Sequence, residues 1–369
     1  MIFRPPIRAL GVLIATVLLA ASGAGCSGRQ AGVPMTPAAQ SPLAPLAPAE
    51  RTRIREFNDL LAGSPYYSPT AIASGPKHDL WVTDDIDQDY GECAVVQVAT
   101  SGTRLNVFYY SGVISEGASF ADIANGPDGA LWITDSYNSQ ILRMATDGTF
   151  TGYPLPGYGN FPEGIAAGPD GALWFLASYA GSPAVGRITT SGGMKFFSSG
   201  ITSGAYLQDI TAGPDGAMWF TEPGNDTIGR ITMHGKIKEY SAGITTGAYP
   251  YSIAAGPDKA VWFTELFGGR IGRITTKGQV TEYSKGITAT EEPNGISAGP
   301  DGALWFTESE VYGSYHYRAA KIGRITTNGS VHEYSGFSQQ SYPSDIVAGP
   351  DKRMWFLEFA LDELGRVNT

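Results

Sequence analysis

Two glutamates, Glu292 and Glu308, stand sixteen residues apart, and His316 follows in a tyrosine-rich stretch, "SEVYGSYHYRAAK". Two carboxylates brought together can share a hard cation, and an imidazole beside them can take a proton near neutral pH. A second acidic run, "DDIDQDYGE" (84–92), spaces Asp85, Asp87 and Asp89 like the start of a calcium loop. Its Gly91 falls one place late and Val96 occupies the twelfth position, so a solvated acidic loop is the better reading. His78, His234 and His332 fall in expected turns or outer strands. No Ser/His/Asp order, paired-cysteine metal motif or phosphate-cradling glycine loop stands out. Cys26 and Cys93 are the only cysteines, too few for a disulfide framework, and Cys93 reads as a lone, partly buried thiol. Whether the two glutamates and the histidine meet depends on the elements that carry them.

Those elements repeat. "GPDGALWFTE" (299–308) returns, with changes, from Gly75, Gly126, Gly168, Gly213, Gly256 and Gly349. Each copy holds one tryptophan: Trp81, Trp132, Trp174, Trp219, Trp262, Trp305 and Trp355, at spacings of 51, 42, 45, 43, 43 and 50 residues. That period is the length of a four-stranded propeller blade. In one unit, "YSIAAG" is a small-residue strand for a crowded axis and "PDKA" a turn. "VWFTE", "RIGRITT" and "QVTEYS" follow as alternating strands. The last copy stops after a third strand, "ELGRVNT", while "RIREFN" (53–58) matches the fourth strands "KIKEYS" and "SVHEYS". The expected fold is all-β: a seven-bladed propeller of four-stranded antiparallel blades, closed three-plus-one by the N-terminal strand. Tryptophan would fill the gap between blades. Glu222, Glu265, Glu308 and Glu358 would form cross-hairpin ion pairs with Arg230, Arg273, Arg324 and Arg366.

Function on a repeat scaffold is sought where the copies differ. The residue entering each innermost strand varies by blade: Thr70, Ala121, Glu163, Gln208, Tyr251, Asn294 and Ser344. Phe161, Tyr206, Tyr249 and Tyr342 lie beside these slots. A channel mouth lined by Thr70, Glu163, Gln208, Tyr251, Asn294, Ser344 and Tyr342 suits an uncharged or weakly polar ligand. Glu292 and Glu308 would face the same end, as metal ligands, with His316 on the inserted loop as base.

The N-terminus carries Arg4 and Arg8, then an apolar run of thirteen residues from Ala9 to Ala21, too short to span a bilayer. Residues 1–26 read as an export signal. "GAGC" fits a lipoprotein site acylated at Cys26 or ordinary secretion, giving a periplasmic, extracellular or lipid-anchored protein. Residues 27–50 form a Pro/Ala-rich tether, and 51–369 the propeller. Net charge is −10, which repels a phosphate backbone and excludes nucleic acid as a partner. A monomer is expected, meeting a small-molecule or cyclic-peptide ligand.

The sevenfold "WFTE…IGRITT.G.I.EY" with small "GI.AGPD" first strands resembles the virginiamycin B lyase family, streptogramin-inactivating enzymes, from Arg53 to the C-terminus. The resemblance implies a seven-bladed propeller, a magnesium ion (Mg2+) and a histidine base that opens a cyclic depsipeptide at its ester by elimination. The family places tyrosine in the first slot, histidine in the sixth and Glu-Pro-His in the seventh, with a glutamate ending that blade's second strand. This chain has Thr70, Asn294 and Tyr342-Pro343-Ser344 there, and Glu358 near the glutamate. Neither Asn nor Ser takes a proton as imidazole does. Three functions follow: a ligand-binding propeller without the lyase base, a magnesium-dependent lyase on a streptogramin B ester, or a metal-dependent lactone hydrolase.

Overall fold

The Gly-Pro-Asp-Gly segments are tight turns whose last residue has positive φ, at Gly129, Gly171, Gly216 and Gly302 (73° to 76°). His78, Lys259 and Lys352 occupy the same left-handed position in the divergent copies. Each turn joins a first strand to a second, and seven such hairpins give seven four-stranded antiparallel sheets. The computed structural model describes residues 54–57, 68–87, 92–110, 118–157, 159–289, 292–312, 316–337, 341–359, 361 and 363–367. The expected export segment, the Pro/Ala tether and residues 88–91 of the acidic run lie outside them. Blades 1 to 6 span 68–110, 120–154, 165–197, 210–240, 250–283 and 292–334. Blade 7 takes three strands from 343–367 and its fourth from Ile54–Phe57. Ile54 pairs with Val367 and Phe57 with Leu364, so the ring closes three-plus-one as the sequence implies.

The seven tryptophans are wholly buried, and each belongs to the core of the following blade. Trp174 packs with Ile210, Met218, Phe220 and Ile231 of blade 4. Trp355 packs with Ile72, Leu80 and Val82 of blade 1 across the closure. Each indole also stacks on the aromatic of its own fourth strand, as Trp219 does on Tyr240 (centroids 5.6 Å apart) and Trp355 on Phe57 (5.1 Å). Phe57 therefore makes the N-terminal strand a packing partner as well as a hydrogen-bonded one.

The recurrent aspartate explains the phrase. In blade 4, Trp219 Nε1–H donates to Asp215 Oδ1 (3.0 Å) and Arg230 Nε–H to Asp215 Oδ2 (2.7 Å). The Arg230 guanidinium lies 5.8 Å from the indole. Asp128, Asp170, Asp258 and Asp301 repeat the arrangement with Arg143, Arg187, Arg273 and Arg324. This corrects the expected strand-end pairs: the arginine faces tryptophan in the register, so its charge reaches the turn rather than Glu222 or Glu308. Arg366 likewise lies 3.8 Å from Asp351, and Glu265 keeps a strand-end contact, at 3.9 Å from Arg270. The glycine opening each phrase is required as well. A Cβ at Gly213 would sit 2.3 Å from Trp219 Cδ1.

Near the axis, a second-strand threonine links neighbouring blades. Thr221 Oγ1 donates to the Tyr251 carbonyl, Thr264 to that of Asn294, and Thr307 to that of Ser344 (2.7–2.9 Å). The slots of blades 5, 6 and 7 are thus tied to the preceding blade.

Candidate functional site

The slot residues sit where the first strand is irregular. In blades 1, 2, 5, 6 and 7 the register of the first and second strands shifts at the slot, between Pro69 and Ala71 in blade 1 and between Pro250 and Ile253 in blade 5. Such bulges re-aim a side chain off the sheet, which a mouth-lining residue needs. In blades 3 and 4 the slot precedes the strand, held by the Glu163 amide to the Leu176 carbonyl and the Gln208 amide to that of Thr221. Pro250 pairs with Glu265, Pro293 with Glu308 and Pro343 with Glu358. The slots and the second-strand ends therefore share one face, opposite the aspartate turns.

On this face two phenols lie within electrostatic reach of one acid. The Glu163 carboxyl acts electrostatically on Tyr206 and Tyr251, and Tyr251 also feels Tyr342 and Tyr249. Burial pushes Glu163 up to about 8. Its carboxyl has no hydrogen-bond or ion-pair partner among the described residues. Burial likewise raises the phenols of Tyr206, Tyr249 and Tyr251, so they stay protonated. Around them runs an aromatic rim: Phe161 and Phe267 are exposed, Tyr249 packs on Phe267 (4.7 Å), and Tyr342 meets Phe359 edge-on (6.3 Å). Phe161 and Tyr249 hold positive φ, 25° and 58°, which directs each ring away from the path a strand would give it.

The other expected ligand residues divide. Gln208 and Asn294 are half-buried. Thr70 is turned to its own blade, its hydroxyl 2.7 Å from that of Thr83. The Ser344 Oγ is shut away from solvent without a hydrogen-bond partner. Glu292 is half-buried and pushed up by burial, and Glu308 is wholly buried. Their strands are neighbours, with Glu292 opposite Ser309 and Glu308 opposite Lys321. The backbone of His316 pairs with Tyr312, four residues beyond Glu308 along the same hairpin, or about 13 Å at strand rise. Among the described residues no three His, Cys, Asp or Glu side chains gather where a metal could sit.

Three functional groups escaped the sequence reading. Asp122, Asp209 and Asp345 follow the slots of blades 2, 4 and 7 and reach into the next blade. Their Oδ2 atoms accept the amides of Ile165 (2.7 Å), Ile253 (2.8 Å) and Ile72 (3.0 Å). Burial raises all three, Asp209 to about 6 and Asp345 to about 7. The available signal was aspartate recurring one place after a slot in an otherwise small-residue strand.

Second-strand ends carry the remaining unusual acids. Glu222, Glu265 and Glu358 are wholly buried; burial, with the nearby carboxyls of Glu239, Glu282 and Glu56, pushes each up to about 8. In blade 2 the same place holds Asp135, which accepts from Ser119 and Asn138 amides and from the side-chain amides of Asn138 and Gln140.

The virginiamycin B lyase family model matches residues 55–309 and 285–369. A streptogramin B lyase structure is 31% identical, covering 85% of this chain and 97% of its own, with a TM-score of 0.72. A catalytically inactive virginiamycin B lyase from Staphylococcus aureus with quinupristin is 30% identical, covering 86% and 99%, with a TM-score of 0.72. YCF48 from Cyanidioschyzon merolae, 14% identical with a TM-score of 0.60, shares the fold alone. No curated protein is significantly similar by sequence. With the family model spanning nearly all of the propeller and sevenfold closure observed, the chain belongs to the virginiamycin B lyase family.

Proposed function

We propose that this protein is an exported binding propeller whose channel mouth holds an uncharged or weakly polar ligand, and that it does not perform the family's elimination. The observation that carries the reading is the convergence of Glu163, Tyr206, Tyr249, Tyr251 and Tyr342 at one mouth. Phenols supply apolar area with hydroxyls at their tips, which suits a cyclic peptide or similar ring. Elimination needs a base positioned at the reacting carbon. Thr70, Asn294 and Ser344 occupy the slots where the family resemblance expects the tyrosine and histidines, and the last two are poor proton acceptors. The described imidazoles are elsewhere: His78 and His234 lie in turns at the opposite face, and His332 lies on an outer strand. Export rests on the basic and apolar segment before residue 26, with Cys26 as a candidate lipid anchor.

The test is to incubate the protein with quinupristin, with added magnesium or with a chelator, and separate the products by chromatography and mass. Saturable binding without a product is expected. A linear isomer of unchanged mass formed with magnesium would establish the lyase instead, and a product heavier by one water a lactone hydrolase.

A further inference from the structure

Glu163 is the one acid among the seven slots, and its surroundings are unusual for a carboxyl. A buried carboxyl is normally satisfied by hydrogen bonds or a cation. Asp209, the next acid along the channel, has three donors, from Ile210, Ser252 and Ile253. Glu163 has none among the described residues, and the groups that sense its charge are the phenols of Tyr206 and Tyr251. Backbone contacts join these slots: Gly164 N–H donates to the Gln208 carbonyl (3.1 Å), Gln208 N–H to the Thr221 carbonyl (3.2 Å) and Thr221 Oγ1 to the Tyr251 carbonyl (2.8 Å), so blades 3, 4 and 5 set the half-buried Glu163, without a counter-ion among the described residues, beside electron-rich rings. A guest carrying a positive charge on a carbon-covered centre answers both features, because ring quadrupoles attract a cation and its alkyl groups bury against the rings. The chain's net charge of −10 draws such a guest inward.

Building on the binding-mouth reading, we infer that the mouth takes an organic ammonium group, with Glu163 as counter-ion and Tyr206, Tyr249 and Tyr251 as the aromatic cage. The body of the ligand remains uncharged and rests on the outer rim at Phe161 and Phe267. When a quaternary ammonium enters, the Glu163 carboxyl gives its proton to solvent, since the guest cannot accept one, and the carboxylate–ammonium pair forms. Tyr206, Tyr249 and Tyr251 keep their protons, and Asp209 stays committed to the blade 4–blade 5 clasp.

Choline, benzyltrimethylammonium and neohexyl alcohol, the uncharged carbon isostere of choline, distinguish the possibilities by calorimetric titration of the full chain. The two ammonium ions should bind at least about tenfold more tightly than the alcohol. Titration at pH 7 in buffers of different ionisation enthalpy should show most of one proton released, and affinity should rise as pH rises through about 8. Glu163→Gln should remove the advantage of charge while melting like the wild type. Tyr251→Leu should weaken ammonium binding with Glu163 still in place. Equal affinity for choline and the alcohol, undiminished choline binding by Glu163→Gln, or no choline binding would each overturn the inference. If the alcohol binds, is lost in Tyr251→Leu, and choline has no advantage, the mouth reading stands and the ammonium inference falls. If none of the three probes binds, the quinupristin titration still judges the mouth separately.

Discussion

Asp215 and Glu222 lie seven residues apart in blade 4, one at each end of a single strand, and their carboxyls behave oppositely. Burial pushes Asp215 up, but hydrogen bonds from Trp219 and Arg230 more than offset it and hold the carboxyl below the usual range. Glu222 is pushed up to about 8 by burial and by the neighbouring Glu239 carboxyl, which outweigh the lowering effect of Asn225. The contrast extends around the ring. Asp128, Asp170, Asp258 and Asp301 are held low at the turn face, while Glu163, Glu265 and Glu358 are raised at the mouth. One face therefore uses acids as ionised fasteners, and on the other Glu163, Glu222, Glu265 and Glu358 are pushed toward the protonated form. Saturated groups brace the wheel. Among the raised acids, Glu163 is partly exposed, whereas Glu222, Glu265 and Glu358 are wholly buried.

The largest way to break this comparison is at the fastener. Asp215→Ala leaves the Trp219 indole N–H buried without its acceptor and frees the Arg230 charge, a cost of about 1–3 kcal/mol in chemical denaturation at pH 7. The same strand's other acid should respond with the opposite sign. Glu222→Gln removes a buried ionisable group and should stabilise the protein by about 1–2 kcal/mol at pH 9, with almost no effect at pH 4. A loss of stability at pH 9 would show that the Glu222 carboxylate is compensated after all.

The two faces also set opposite pH limits. The turn aspartates have depressed folded values, so their contribution is present above the ordinary 3.8 and is lost as pH falls through the depressed range. Glu222, Glu265 and Glu358 have raised folded values, so theirs is complete below 4.5 and is lost as pH rises through about 8. Thermal unfolding across pH should therefore peak in the mildly acidic range and decline toward pH 9. A triple Glu→Gln variant should flatten the alkaline side. The smallest effect belongs to the turns. Lys259→Gly relieves a left-handed residue (φ 60°) and should raise stability by about 0.5–1 kcal/mol, measured by the same melts.

The wheel was legible because its demands are local and repeated. Tryptophan once per repeat, Pro-Asp at each turn and "RIREFN" matching later fourth strands fix blade count and closure without long-range information. The tryptophan–arginine–aspartate fastener was less legible. Its partners are four and fifteen residues from Asp215, and only the register shows that Arg230 stands opposite Trp219. The mouth was half legible. Topology assigned Glu163, Tyr206, Tyr249, Tyr251 and Tyr342 to one end, but Thr70 and Ser344 turn inward through bonds and bulges that residue type does not reveal. The inserted hairpin shows the same limit. Sequence distance put His316 near Glu308, whereas strand pairing carries its backbone four residues outward.

The central claim is that carboxyls are ionised at the turns and protonated at the mouth. It is tested most directly by a carbon-13 NMR pH titration of glutamate-labelled protein, with Glu163→Gln to assign the mouth signal. The account predicts a Glu163 carboxyl titrating near 8, absent from the variant, and further resonances from Glu222, Glu265 and Glu358 in the same range. If every glutamate titrates near 4.5, the mouth is an ordinary anionic rim and the distinction between the two faces is lost.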